Sequence, residues 1–241
     1  MVEKQSAVIN QCFEELTDKI GAYRVLHNKN WDMDELIDRI RQHSGNKCIG
    51  QEHVLCIQDT TELSYGHIQG RLKEEDPDFG DGSMSLKKYS IFVHPTLLVD
   101  ATSYLPLGFS SLRIWNRERV EGRKKTNRRA TLPYKDKESY RWALAAKESV
   151  ACIPSDVHKT IVGDRENDIY AFMEETLEAE CDFLIRSSHN RKCAVDDDFE
   201  TLTELLIKRK PMGEYSFSLP GRKGRKNRTA IMEVRFMPIT I

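Results

Sequence analysis

Two strings constrain this chain more than anything else in it: HVLCIQDTTELSY (residues 53–65) and HKTIVGDRENDIY (residues 158–170). In each a short apolar run stops at an aspartate, Asp59 or Asp164, and polar, turn-prone sequence follows. A run of ~4–8 residues rich in Val, Ile and Leu reads as a buried strand, and open α/β sheets collect their ligands at strand ends. Two carboxylates brought together there repel each other unless a cation lies between them, and hard oxygen ligands of this kind suit Mg²⁺ or Mn²⁺. An aspartate after a strand also commonly opens a turn or caps a helix, and Asp59 followed by Thr60, Thr61 and Glu62 satisfies that pattern as well.

The rest of the chain reads as α/β. Strands are predicted at 53–58, 89–100, 105–115, 159–163 and 182–187, with the second and third joined as a hairpin around Ser103, Tyr104 and Pro106. Helical spacing covers 2–20, 32–43, 136–151 and 167–180. Val8, Ile9, Cys12, Phe13 and Leu16 fall on one face of the first helix, and Asp32 stands where a cap for the second belongs. Three strands, a helix, a strand, a helix and a strand is the order of a ribonuclease-H-like mixed sheet. Residues 73–85, KEEDPDFGDGSMS, form an acidic Pro/Gly/Ser break.

Charge is balanced in total and uneven along the chain. Lys+Arg number 37 against 38 Asp+Glu, so net charge gives no bulk steering toward nucleic acid. Residues 113–129 nevertheless hold Arg113, Arg117, Arg119, Arg123, Lys124, Lys125, Arg128 and Arg129 against Glu118 and Glu121, and GRKGRKNR (221–228) has no acid. Either run alone reads as a solvated loop; two beside a carboxylate site favour phosphate contact. The six cysteines form no C-x-x-C pattern and no paired His spacing, which argues against structural zinc, and Cys56, Cys152 and Cys181 fall in or beside apolar segments as reduced core residues. No stretch approaches the ~20 apolar residues of a membrane helix and no apolar leader opens the chain, so a cytoplasmic protein without membrane contact is expected.

The wording around the two aspartates, QDTTELSY and VGDRENDIY, closely resembles the two aspartate motifs of bacterial DDE transposases, in the insertion-sequence-four family and its Tn-five transposase branch. GAYRVLHN (21–28), VHPTLLVDATSYLPLG (93–108), ESYRWALAA (138–146), FLIRSSHNRK (183–192) and GEYSFSLPGRKGRKNR (213–228) are similar to that branch in the same order. The resemblance implies a shortened helical DNA-binding region at 1–47, the first part of a ribonuclease-H-like catalytic core at 48–195, and the start of a β-rich insertion at 196–241. It also implies cut-and-paste DNA transposition by two-metal phosphoryl transfer, with Asp59 bridging two Mg²⁺ ions and Asp164 binding one. Mn²⁺ is a possible substitute.

The DNA partners implied are transposon ends and target DNA, with Arg24, Arg186, His189, Arg191 and Lys192 as contacts. The GRKGRKNR run adds Arg222, Lys223, Arg225, Lys226 and Arg228. The family's third carboxylate is a Glu in the pattern Y-x2-R-x3-E-x6-K, which these 241 residues do not contain. The expectation is an incomplete copy, weakly metallated, inactive alone and monomeric, associated with the nucleoid when bound to DNA. A catalytically inert DNA-binding remnant is the alternative. An autonomous ribonuclease-H-like nuclease with a rebuilt third ligand, Glu166 being the nearest candidate, is a more distant one.

Overall fold

A computed structural model describes residues 4–6, 8–71, 76–83, 89–117, 131–195, 198–222 and 224–241. The chain divides into two compact units, Met1–Gly163 with Ala171–Leu184 and Asp164–Tyr170 with Ile185–Ile241.

The first unit is built on a six-stranded mixed sheet. β1 (His53–Gln58) is central, because its HVLCIQ run alternates half-buried and buried residues and so has apolar side chains to place on both faces. It pairs antiparallel with β3 (Ser90–Asp100), Val54 opposite Asp100 and Gln58 opposite Thr96, and parallel with β5 (His158–Gly163), His53 opposite His158 and Ile57 opposite Val162. β4 (Pro106–Trp115) folds back on β3 as the predicted hairpin, and β6 (Asp182–Ile185) lies beyond β5. β2 (Thr61–Ser64) pairs with the first residues of β3. Ala101 N donates to His53 O and Tyr65 N to Tyr89 O, so β1 and β2 run in one unbroken register along the same edge of β3. The arrangement is α/β with flanking helices, compatible with a ribonuclease-H-like sheet.

One face of this sheet is closed by helices. Val54, Cys56, Phe92, His94, Thr96, Leu98 and Ile161 are buried together with Trp142, Ala145, Ala146 and Ser149. The latter four come from one helix, Arg141–Cys152, whose alanines let it approach the strands closely. Each large apolar side chain buried here contributes ~1.5–3 kcal/mol. A second helix, Met33–Lys47, packs on β4, and its start is fixed by Asp32 as expected, the carboxylate accepting from Asp34 N (2.9 Å) and Glu35 N (3.3 Å). Where this helix crosses β4 the only tolerable residue is Gly108 (φ +139°), since a Cβ there would lie 2.2 Å from Ser44 Oγ. That hydroxyl instead accepts from Phe109 N at 2.9 Å.

Labelled in chain order, the helices are α1 (Ile9–Cys12), α2 (Leu16–Leu26), α3 (Met33–Lys47), α4 (Arg141–Cys152), α5 (Tyr170–Glu178) and α6 (Leu202–Lys208). The N-terminal segment departs from the single helix expected over 2–20. Phe13 is extended (φ −123°, ψ 133°), which stops α1 after one turn, and α2 then runs through AYRVL. α2 buries none of its residues. Among the described residues no helix is long and apolar enough to cross a membrane.

The second unit carries two two-stranded ribbons, β7 (Lys192–Val195) with β8 (Asp198–Thr201) and β9 (Gly213–Leu219) with β10 (Arg228–Val234). α6 follows β8 through a capping box in which Thr201 and Glu204 each bind the other's backbone.

Candidate functional site

β1 and β5 are parallel neighbours in the first unit, and their ends come level where Ile57 faces Val162. Asp59 follows β1 within the first unit, Asp164 follows β5 as the first residue of the second unit, and both residues are exposed. Local geometry holds each carboxylate in a turn: Thr60 N donates to Asp59 Oδ1 at 2.7 Å, and Glu166 N to Asp164 Oδ1 at 2.9 Å, where Asp164 caps the short 3-10 turn Arg165–Asn167. The turn-forming role and the ligand role are therefore compatible, since a carboxylate oxygen bonded to one N–H keeps lone pairs and a second oxygen.

Among the described residues no group of three or more His, Cys, Asp and Glu side chains is placed to hold a metal. Two exposed carboxylates fit Mg²⁺ only in its usual manner, as an ion that keeps several waters and takes one or two protein oxygens. The cysteines supply no soft-metal site either. All six are free, and burial pushes the Cys48 thiol up to about 11 and Cys56 further still.

Beneath Asp59 lies a polar cluster that sequence reasoning did not find. His94, on β3, is fully buried, its Nδ1 2.9 Å from Thr60 Oγ1, and Arg141 Nε donates to the same oxygen at 3.0 Å. Trp142 meets the imidazole edge-on, ring centroids 4.5 Å apart. Burial, with the Arg141 and Arg113 guanidiniums nearby, holds the His94 imidazole down to about 3, and its Nε2 has no hydrogen-bond partner among the described residues. His94 is a neutral side chain at ordinary pH. The signal available in the sequence was the proline in VHPTLL, because proline inside an interior strand marks an irregularity.

Asp168, within the VGDRENDIY string, organises the loop that carries several predicted DNA contacts. Its carboxylate is 1% exposed and pairs with Arg191 through Oδ1, while Oδ2 accepts from Ser188 N (2.6 Å), His189 N (2.9 Å) and Ser187 Oγ (3.3 Å). Burial works to raise its pKa, yet the Arg191 guanidinium and the backbone N–H groups outweigh it and hold the carboxyl well below the usual range. Arg191 is thus the half-buried partner of a buried carboxylate, and His189 Nδ1 lies 3.1 Å from the same carboxylate.

The other basic positions differ. Arg186 and Lys192 are exposed at the two ends of this loop, and Arg24 lies in the last turn of α2. Arg222, Arg225, Lys226 and Arg228 sit at the tip of the β9–β10 ribbon, where Arg222 bridges to Arg225 across a turn that needs the positive φ (+85°) of Gly224. Lys223 lies outside the described residues, as do positions 119–129 of the upstream basic run.

No family model matches this chain. Among solved structures it is similar to a piggyBac transposase in a synaptic complex with hairpin DNA, with a TM-score of 0.32 and 11% identity over 84% of this chain and 40% of that one. The chain therefore spans about two fifths of that transposase's length. A likeness this remote carries no chemistry by itself.

Proposed function

We propose that this chain is a transposase-like protein of the insertion-sequence-four type, in which Asp59 and Asp164 hold a divalent cation and the surface arginines and lysines hold DNA. The observation that carries this reading is the parallel pairing of β1 and β5, which brings to one sheet edge the two strands that the aspartate motifs follow. A bound Mg²⁺ or Mn²⁺ there would polarise a phosphodiester and favour an attacking oxygen. The chain's own part is to present the carboxylates in fixed turns and to bind the phosphate backbone. Phosphate contact falls to Arg24, Arg186, Lys192 and the basic run that holds Arg222, Lys223, Arg225, Lys226 and Arg228 in sequence. Arg191 and His189 act differently, by shaping the loop through Asp168.

These 241 residues supply two of the three DDE carboxylates. By themselves they act as a DNA-binding protein with weak metal affinity, because loss of ~1.4 kcal/mol of transition-state stabilisation is already tenfold in rate. Titration of duplex DNA at several salt concentrations tests the DNA reading. With about five phosphates neutralised, log K is expected to fall against log salt with a slope of roughly −4 to −5. Neutralising Arg222, Lys223, Arg225, Lys226 and Arg228 together is expected to flatten it. A variant that behaves like the parent assigns the tip to solvent, and strand cleavage by the parent in Mn²⁺ that is lost in Asp59→Ala overturns the inactive reading.

A further inference from the structure

Asp59 occupies a gap in the sheet, and the cause of the gap lies on the opposite strand. The register that pairs His53 with Ala101 at one end and Tyr65 with Tyr89 at the other sets Asp59 opposite residue 95 and Thr60 opposite residue 94. Ala101 N donates to His53 O. Along an antiparallel pair this orientation repeats every second residue, so positions 99, 97, 95 and 93 of β3 aim their N–H groups at β1 and β2. Position 95 is proline and has none. The Asp59 carbonyl thus gets no ladder donor from β3, and regular strand structure lapses at Asp59 and Thr60 between β1 and β2.

The side chains at the gap are polar and joined, His94 fully buried and Thr60 and Arg141 half-buried. His94 Nδ1 meets Thr60 Oγ1 at 2.9 Å, and its buried Nε2 has no hydrogen-bond partner among the described residues. Arg141 Nε reaches the same hydroxyl at 3.0 Å, and its Nη1 donates to Glu138 O at 3.1 Å, tying the gap to the start of α4. A fully buried histidine is costly to keep, and here the bond to Thr60 is what its Nδ1 gains in return. We propose that His94, Thr60 and Arg141 form a side-chain brace that ties the chain down beside Asp59, where Pro95 supplies no ladder N–H, and fixes the direction in which Asp59 presents its carboxylate. They are positioning residues. As a role in metal binding this rests on the function proposed above, whereas the brace itself does not.

The experiment uses the 241-residue chain and reads two quantities, amide hydrogen exchange at Asp59 and Thr61, and Mn²⁺ affinity from the free-ion electron paramagnetic resonance signal. His94→Leu and Thr60→Ala are expected to speed exchange at Asp59 and Thr61 at least tenfold and to weaken Mn²⁺ binding about five- to tenfold. His94→Asn, which keeps a polar atom where Nδ1 stands, and Thr60→Ser are expected to restore both. The deciding variant is Pro95→Val in the His94→Leu background. By returning the N–H it should recover slow exchange at Asp59 without the histidine.

Exchange unchanged in His94→Leu, or unrecovered by Pro95→Val, overturns the brace. Faster exchange with unchanged Mn²⁺ affinity overturns its positioning role. A parent whose Mn²⁺ binding is absent or indifferent to Asp59→Ala refutes the metal site instead, and the exchange results still decide the brace.

Discussion

Stability is expected to fall steadily as pH drops from about 6.5 toward 4, and His94→Asn is expected to remove most of that slope. The unfolded imidazole titrates near its ordinary value of ~6.5. In the fold, burial beside Arg141 and Arg113 holds it down to about 3. Between those two values the unfolded chain binds a proton that the folded chain refuses, so stability is full above ~6.5 and declines by up to ~1.4 kcal/mol per pH unit below it. Across the window this amounts to on the order of 4–5 kcal/mol. His53, whose imidazole is also lowered by burial and by His158, adds a smaller slope of the same sign. Denaturant unfolding at half-unit pH steps reads the effect, and equal slopes in parent and His94→Asn would mean that the imidazole is solvated and titrates freely.

Asp168→Asn is the second large expectation. The substitution keeps the shape and removes the charge, leaving the Arg191 guanidinium beside a neutral amide in a site where the carboxylate was 1% exposed. Breaking one side of a fully buried pair costs ~3–5 kcal/mol, and a smaller cost is expected here because the Arg191 side chain is 21% exposed. Trypsin supplies a local measurement, because Arg186, Arg191 and Lys192 lie in the loop that Asp168 ties down. Cleavage at these residues is expected to rise at least tenfold in the variant. The same loss should follow in the parent at low pH: the folded carboxyl is held below its usual value of about 3.8, so its stabilisation is present above that pH and disappears as pH falls further. Unchanged cleavage of Asp168→Asn would show that the loop is held by something else.

What the sequence disclosed follows from how local each signal is. β1, β3, β4 and β5 were legible within a residue or so because Val, Ile and Leu runs bounded by turn residues can do little else. Asp32 was legible as a cap for the same reason. β2 was not, because TELS has no apolar run and becomes a strand only through pairing with β3, about thirty residues away. The split between α1 and α2 was hidden behind continuous helical spacing, and for the extended Phe13 the structure offers no packing cause.

Site residues divided in the same way. Asp59 and Asp164 announce themselves by position after a strand. His94 and Asp168 become consequential only through partners far along the chain, Arg141 for one and Arg191 for the other. Arg191 shows the cost of reading charge from sequence: an exposed-looking arginine in RSSHNRK is committed to an internal carboxylate.

Divalent-cation binding at the two aspartates is the centre of the proposal, and paramagnetic broadening by Mn²⁺ tests it most directly. Added at low stoichiometry to the isotopically labelled chain, Mn²⁺ is expected to broaden the amide signals around Asp59 and around Asp164, and Asp59→Ala and Asp164→Ala are each expected to relieve the broadening around the substituted residue. Broadening at neither aspartate, or broadening that ignores both substitutions, would contradict the proposed cation binding.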